Sequence, residues 1–236
     1  MTASAVGVVD CMSPRQGEGP GANPRTALHE VRVQPVPMSV VKEIVERRHY
    51  LHSLPGGTKL AFGVFLGYSL LGAVTLGVGP ISAPCLVDGA SNDDCLTLTR
   101  LCLDDELPPN SESRVIGVVI RGLRRNTSIR FLLSYADPSQ GHVGTIYQAT
   151  GWLYTGMSEP MPRYDLGDGK ARHSRSVGHA YGSHNLSYLR DLGVQVHLVP
   201  QAGKHRYLYF VDQSWRSRLR AAVLAYPRKE HRREND

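Results

Sequence analysis

The stretch from Ile129 to Gly156, reading IRFLLSYADPSQGHVGTIYQATGWLYTG, constrains this chain more than any other. An apolar run from Ile129 to Tyr135 has the length and residue types of a buried strand, and it stops at Ala136-Asp137-Pro138, where proline removes a ladder donor and turns the chain. Asp137 therefore stands at a strand's carboxyl end. A loop of small residues, Ser139 to His142, leads into a short helical segment from Gly144 to Thr150 that carries Tyr147. Open α/β sheets receive ligands outside the carboxyl ends of their strands, so a carboxylate, an imidazole and a phenol gathered there read as an active site. The bland reading of an Asp before Pro is a turn former, and a tyrosine on a short amphipathic helix is by residue type a core residue.

The remaining periodicity predicts a mixed α/β chain of one main domain. Residues 1–30 lack periodicity and are rich in Gly, Pro, Ser and Ala, which predicts a disordered leader. Val31 and Val33 alternate in a first strand closed by Pro35 and Pro37. Ser39 is the expected N-cap of a helix that buries Val40, Val41, Ile44 and Val45 and ends in Arg47-Arg48-His49-Tyr50-Leu51-His52. A hairpin follows, Leu60 to Leu66 and Leu70 to Val78 around Gly67-Tyr68, and then a strand from Cys95 to Leu103. Strict alternation puts Arg100 beside Leu96 and Leu98 on the apolar face. Either that guanidinium meets an anion or carboxylate, or a bulge kinks the strand.

A helix from about Ser111 to Arg125 buries Val115, Ile116, Val119, Ile120 and Leu123 and projects Arg114, Arg121 and Arg125. Its start, with Ser111 and Ser113, offers amides and hydroxyls to phosphate. Further on, Val194 to Val199 and His205 to Val211 read as a terminal hairpin. Asp212 is expected to cap an arginine-rich helix from Gln213 to Ala225, with fraying from Pro227.

Charge is unevenly distributed. Residues 160–236 hold 14 Lys or Arg against 7 Asp or Glu, whereas residues 1–159 hold 13 against 14. A polyanion partner, most often nucleic acid, is the functional reading of such asymmetry, and a solvated basic tail is the plain one. Arg172, Arg175, Lys204, His205, Arg206 and Arg216, interleaved with aromatic residues, are the candidate phosphate contacts of such a partner. His49 and His52, three residues apart, are the candidate metal ligands, while the histidines at 173, 179, 184 and 197 fit no zinc template. The four cysteines show neither C-x-x-C nor a framework spacing, which fits a reduced cytoplasmic compartment, and there is no secretion signal or membrane-length apolar run.

The string SYADPSQGHVGTIYQATGW, with His49-Tyr50, Arg100 and Asn110-Ser111-Glu112-Ser113, resembles the bacteriophage Mom family of DNA adenine-modification proteins, and Ile146 to Trp152 resembles the late helix of GNAT acyltransferases. The resemblance implies a GNAT-like acyltransferase fold over residues 31–157, with residues 158–236 as a basic extension that completes the fold and contacts double-stranded DNA. It implies a transferase that adds a methylcarbamoyl, acetamido-type group to N6 of adenine in phage DNA, protecting it from host restriction in the host cell cytoplasm. Asp137 would be the base and Tyr147 the acid, with His49 and Tyr50 on the adenine side. Arg100, Ser111, Ser113 and Arg114 would hold an acyl-CoA donor, acetyl-CoA being the expected one, and iron is a further implied cofactor. The R/Q-x-x-G-x-G/A pyrophosphate loop of the GNAT family is missing, and acetyl-CoA alone cannot supply the adduct's additional nitrogen. The alternatives are a conventional GNAT N-acetyltransferase on a protein or small amine, and a non-catalytic DNA-binding protein.

Overall fold

A computed structural model describes residues 28–49 and 52–229, apart from the side chain of residue 175. The expected leader up to residue 27, the candidate Tyr50 and the last seven residues lie outside the described residues.

The first strand, β1 (Val31–Pro35), leads into α1 (Met38–Arg48). This helix starts after Pro37 with no side-chain cap, so Ser39 lies inside its first turn and does not cap it. β2 (Thr58–Leu66) and β3 (Ser69–Gly77) form the anticipated hairpin, turned at Gly67 with φ 60°. Then come β4 (Cys95–Leu103), α2 (Ser111–Asn126), β5 (Phe131–Ala136), α3 (Thr145–Ala149) and β6 (Leu153–Met157).

These strands and β10 (His205–Phe210) make one seven-stranded sheet in the order β1-β2-β3-β4-β5-β10-β6. Every adjacent pair is antiparallel except β4 with β5. The mixed α/β expectation is met.

The sheet is covered on both faces. On one, Val115, Ile116, Val119, Ile120 and Leu123 of α2 fall at helical spacing and pack with Leu96, Leu98, Leu101 and Leu132, each contact side chain contributing roughly 1.5–3 kcal/mol on burial. The other face buries Val41 and Val45 of α1 against Ala61 and Ala73, and Phe131, Leu133 and Tyr135 against Leu208 and Phe210. Strand β5 is buried along its whole length because it has layers on both sides, which explains its unbroken apolar sequence. No helix among the described residues is long and apolar enough to cross a membrane.

Between β6 and β10 the chain leaves the sheet. Residues 158–204 build a small lobe from β7 (Arg163–Asp165), β8 (Ala171–Arg172), α4 (Ser174–Tyr181), α5 (Leu186–Asp191) and β9 (His197–Val199). Its three strands pair in the order β8-β7-β9 around a core of Tyr164, Val177 and Leu189. The expected terminal hairpin is therefore corrected: β9 pairs with β7, while β10 lies between β5 and β6. Burial explains the split, because β10 buries Tyr207 on one face and Leu208 and Phe210 on the other, as a central strand must, whereas every residue of β9 is exposed.

The end of the chain also differs from expectation. Asp212 does cap, accepting from the Ser214 amide at 3.0 Å, but the turn it starts is a 3-10 segment, Gln213–Arg218, and no helix continues to Ala225. Beyond it the chain runs along the sheet: the Leu224 amide donates to Tyr154 O at 2.9 Å and Tyr226 Oη to Trp152 O at 2.8 Å. Pro227, where fraying was expected to begin, still accepts from Gln148 Nε2 at 3.2 Å.

Candidate active site at the splayed end of the sheet

Strands β4 and β5 pair only at Cys95↔Phe131, Leu96↔Leu132 and Thr97↔Leu133. Both continue, β4 to Leu103 and β5 to Ala136, so a wedge opens between their carboxyl ends. A bulge in β4 produces the divergence. Thr75 is opposite Arg100 while Leu76 is opposite Leu98, which leaves Thr99 as the extra residue and bends the strand. Thr99 Oγ1 is held 2.8 Å from Thr75 Oγ1.

The bulge also decides the question left open for Arg100. Leu96, Leu98 and Leu101 all join the α2 core, and Arg100 is turned out of that cluster. Its side chain is nonetheless buried, with Nε donating to Ser53 O at 3.1 Å and Nη1 to Thr99 O at 2.7 Å. Backbone carbonyls, rather than a carboxylate, receive these two bonds. His49, the residue after α1, is fully buried nearby. Burial, followed by the charges of Arg100 and His52, lowers its pKa to about 3, so the imidazole is neutral.

His52 does not share a helical face with His49, since the helix ends at Arg48. It adopts φ 45°, and its Nδ1 is 2.9 Å from Glu46 O. Among the described residues no group of three or more His, Cys, Asp or Glu assembles as a metal ligand set, so the expected His49/His52 site lacks a third donor of these types.

Across the wedge, Asp137 continues the alternation of Phe131, Leu133 and Tyr135, on the face away from α2. It is 4% exposed. Oδ1 accepts from the Ser139 amide at 3.0 Å and the Ser139 hydroxyl at 2.7 Å, and Oδ2 lies 2.9 Å from Lys204 Nζ. Burial pushes the carboxyl pKa up, but the Ser139 bonds and the Lys204 ammonium outweigh it and hold the group below the usual carboxylate range. An ionised carboxylate so well satisfied is a weak base. It is suited to orienting a donor and compensating positive charge.

Tyr147 lies on the α2 face. Its ring is 1% exposed, 5.1 Å from the Trp152 ring and 5.2 Å from that of Tyr207. The stack depends on Gly144, which has φ 74° and where a Cβ would fall 2.3 Å from the Tyr207 ring. Tyr207 Oη donates to Val143 O and accepts from Gln148 Nε2 at 3.0 Å, and burial raises its pKa to about 12. Tyr154 extends the row, with Oη 3.0 Å from His205 Nδ1.

The structure thus brings Asp137, Arg100 and His49 to one face on the two sides of the wedge and puts Tyr147 on the other. Three of the four expected donor-holding residues have other partners, Arg100 through the Ser53 and Thr99 carbonyls. Ser111 Oγ donates to Pro108 O at 2.6 Å, and Arg114 holds the start of β1 through His29 O at 3.0 Å and Val31 O at 3.2 Å. Ser113 is half-buried on the first turn of α2, and Arg100 stands on the wedge's β4 side.

Several expected DNA contacts are likewise engaged inside the fold. Lys204 pairs with Asp137, His205 with Tyr154, and Arg206 donates to Thr155 Oγ1 at 2.9 Å and Thr155 O at 2.8 Å. Arg172 is bridged to Asp168 on the lobe surface, and Arg216 is exposed. Sequence reasoning missed Gln148 and Tyr154 altogether. It placed Lys204 on the DNA surface because a lysine among Arg and His reads as part of a basic patch until its ion pair is seen.

Residues 30–228 match a family model described as the Mom protein family. The chain belongs to that family. It is 29% identical over 206 residues to the protein named Methylcarbamoylase mom of Escherichia phage Mu, covering 84% of each chain. Among solved structures it is similar to an N-acetyltransferase from Staphylococcus aureus Mu50, with TM-score 0.42, 11% identity and coverage of 77% of this chain and 97% of that one. A GNAT family acetyltransferase from Elizabethkingia anophelis with acetyl-CoA bound gives TM-score 0.43 and 7% identity, with 77% and 98% covered.

Proposed function

We propose that this Mom family chain is a transferase that adds a methylcarbamoyl group to N6 of adenine in phage DNA, so that the DNA resists host restriction. The observation that carries the reading is the wedge between β4 and β5, flanked on one face by Asp137 and Arg100. Strand edges that part in this way leave backbone groups free to hold an extended ligand arm, as in strand addition. The name of the phage Mu relative gives the chemistry of the group transferred.

A CoA-type donor fits the wedge with its extended arm. The Glu112 and Ser113 amides, left without intrahelical acceptors at the start of α2, and the Ser113 hydroxyl would face its phosphates. Ser111 and Arg114 do not contribute, because their polar atoms are engaged elsewhere. Such a donor supplies an activated carbonyl carbon. For the atoms to balance, the transferred group arrives whole on the donor, its nitrogen included: the N6–C bond forms, the donor's C–S bond breaks, and the thiol leaves.

The amine of adenine is a poor nucleophile, because its lone pair is delocalised into the ring. Position and charge therefore matter most. Asp137, ionised at neutral pH, accepts a hydrogen bond from the N6 amine, offsets the positive charge that grows there as the new bond forms, and passes the acidic N6 proton on to solvent. Arg100 fixes the β4 side of the wedge, with neutral His49 buried beside it. Tyr147 donates a proton to the leaving group from the opposite face of the sheet, where Trp152 and Tyr207 keep its phenol out of water. The target base must leave the duplex stack to reach this depth.

The test is to express the protein in cells, digest their DNA to nucleosides and analyse them by mass spectrometry. A deoxyadenosine carrying the methylcarbamoyl increment is the expected product. Unmodified deoxyadenosine beside soluble, folded protein would overturn the proposal.

A further inference from the structure

We infer that Lys204 is a positioning residue for Asp137, tying the neck of the inserted lobe to the carboxylate of the site; this rests on the role given to Asp137 above. Lys204 closes the lobe, and its backbone is fixed at both polar groups. Its carbonyl accepts from the Ser158 amide at 2.8 Å, and its amide donates to Ser158 Oγ at 2.9 Å. Gly203 permits this approach, since a Cβ there would lie 2.0 Å from Ser158 O. The next residue, His205, is in register with Ala136, the neighbour of Asp137. A lysine so anchored has one direction for its side chain, and its ammonium ends 2.9 Å from Asp137 Oδ2 with 12% of the side chain exposed. Among the described residues it has no second carboxylate partner. A cation this covered is poorly placed to meet a DNA phosphate.

The other groups around Asp137 do not duplicate the ammonium. Ser139 bonds the opposite oxygen, Oδ1. His142, in the same loop, is lowered in pKa by burial and then by Lys229 of the C-terminal segment, so it is mainly neutral at neutral pH. Arg206, on the same face of β10, is bound to Thr155, and Tyr135 on β5 is protonated, its pKa raised to about 12 by burial. His205 points to the other face and pairs with Tyr154. Among the described residues, Lys204 alone offsets the burial of the carboxylate from the Oδ2 side. Without it Asp137 keeps its desolvation and loses its partner, so its pKa rises and its orientation relaxes.

The experiment compares the full chain with Lys204→Gln and Lys204→Arg by two readouts, the carboxyl titration of Asp137 followed by carbon NMR and the adduct yield in DNA from expressing cells. Lys204→Gln is expected to move the Asp137 titration upward and to cut adduct about 100-fold, the scale of a misplaced catalytic group. Lys204→Arg keeps the charge and is expected to hold the titration low and recover much of the yield. An unmoved titration in folded Lys204→Gln overturns the inference, as does adduct loss without a titration shift, which would return Lys204 to the DNA interface. Should Lys204→Gln fail to fold, Lys204→Arg decides: a folded arginine variant whose Asp137 titrates well above the wild type overturns it. Wild type that makes no adduct defeats the transferase reading separately, because the titrations still report whether Lys204 sets Asp137.

Discussion

The seven-stranded sheet and the inserted lobe are built to different standards within one chain. In the sheet, β5 is buried end to end and eight of the nine residues of β4 are buried, with α2 on one side and α1 or the segments bearing Val87 and Trp215 on the other. In the lobe, a single small core of Tyr164, Val177 and Leu189 supports three short strands, one of them wholly exposed. Asp137 and Arg100 sit on the first kind of structure, where packing fixes side chains. The lobe hangs from it by the paired neck at Ser158 and Lys204. Regions with few buried contacts open at lower free energy than cores, so the two parts should separate in stability.

The largest expected effect tests that separation. Trp152, fully buried between Tyr147 and Tyr209, holds the sheet, and Trp152→Ala should cost about 3–5 kcal/mol and lower the melting midpoint of the whole molecule. Leu189→Ala, at about 2–5 kcal/mol, should instead speed amide hydrogen exchange over residues 163–199 while the sheet amides stay protected. Equal acceleration in both regions would show one cooperative unit and end the comparison.

Next in size is a pH effect confined to the sheet side. The pKa of His49 lies at about 3 in the fold against 6.5 for the free side chain, so between those values the unfolded chain binds the extra proton. Stability should therefore fall as pH drops from about 6.5 towards 3, by up to about 1.4 kcal/mol per pH unit. Chemical denaturation of the wild type and His49→Gln checks this: the variant should show a flatter slope through that window, and an unchanged slope would refute the buried neutral imidazole.

Smaller still is the cap of α5, where Asn185 Oδ1 accepts from the Ser187 amide at 2.9 Å. Asn185→Ala should cost about 1 kcal/mol, read as faster exchange in the lobe alone. Arg216→Ala should leave the melting midpoint in place. If its exposed guanidinium meets DNA, the slope of log affinity against log salt should fall by about 1, whereas an unchanged slope would remove Arg216 from the interface.

The difference in construction also governs what could be read in advance. The five apolar positions of α2, the β2–β3 hairpin and the Asp-Pro stop after β5 were legible because each is set by local periodicity or turn chemistry. The bulge at Thr99 was legible only as a conflict, a charge at an apolar position, and the structure resolves it. What stayed hidden depended on partners distant in sequence. β10 belongs between β5 and β6 although residues 158–204 separate it from β6, and the basic residues at its start looked superficial because Asp137 is far away along the chain. Helix ends were similarly obscured: Ser39 has the chemistry of a cap, yet Pro37 already sets the entry to α1.

We propose that Asp137 and Arg100 act on one adenine across the β4–β5 wedge. The most direct test of this claim is a nucleoside mass spectrum of DNA from cells expressing wild type, Asp137→Asn or Arg100→Gln, each confirmed to be folded. The expected result is modified deoxyadenosine in wild type and its loss, by about 100-fold or more, in both variants. Full modification by folded Asp137→Asn would contradict the claim and place the chemistry elsewhere in the molecule.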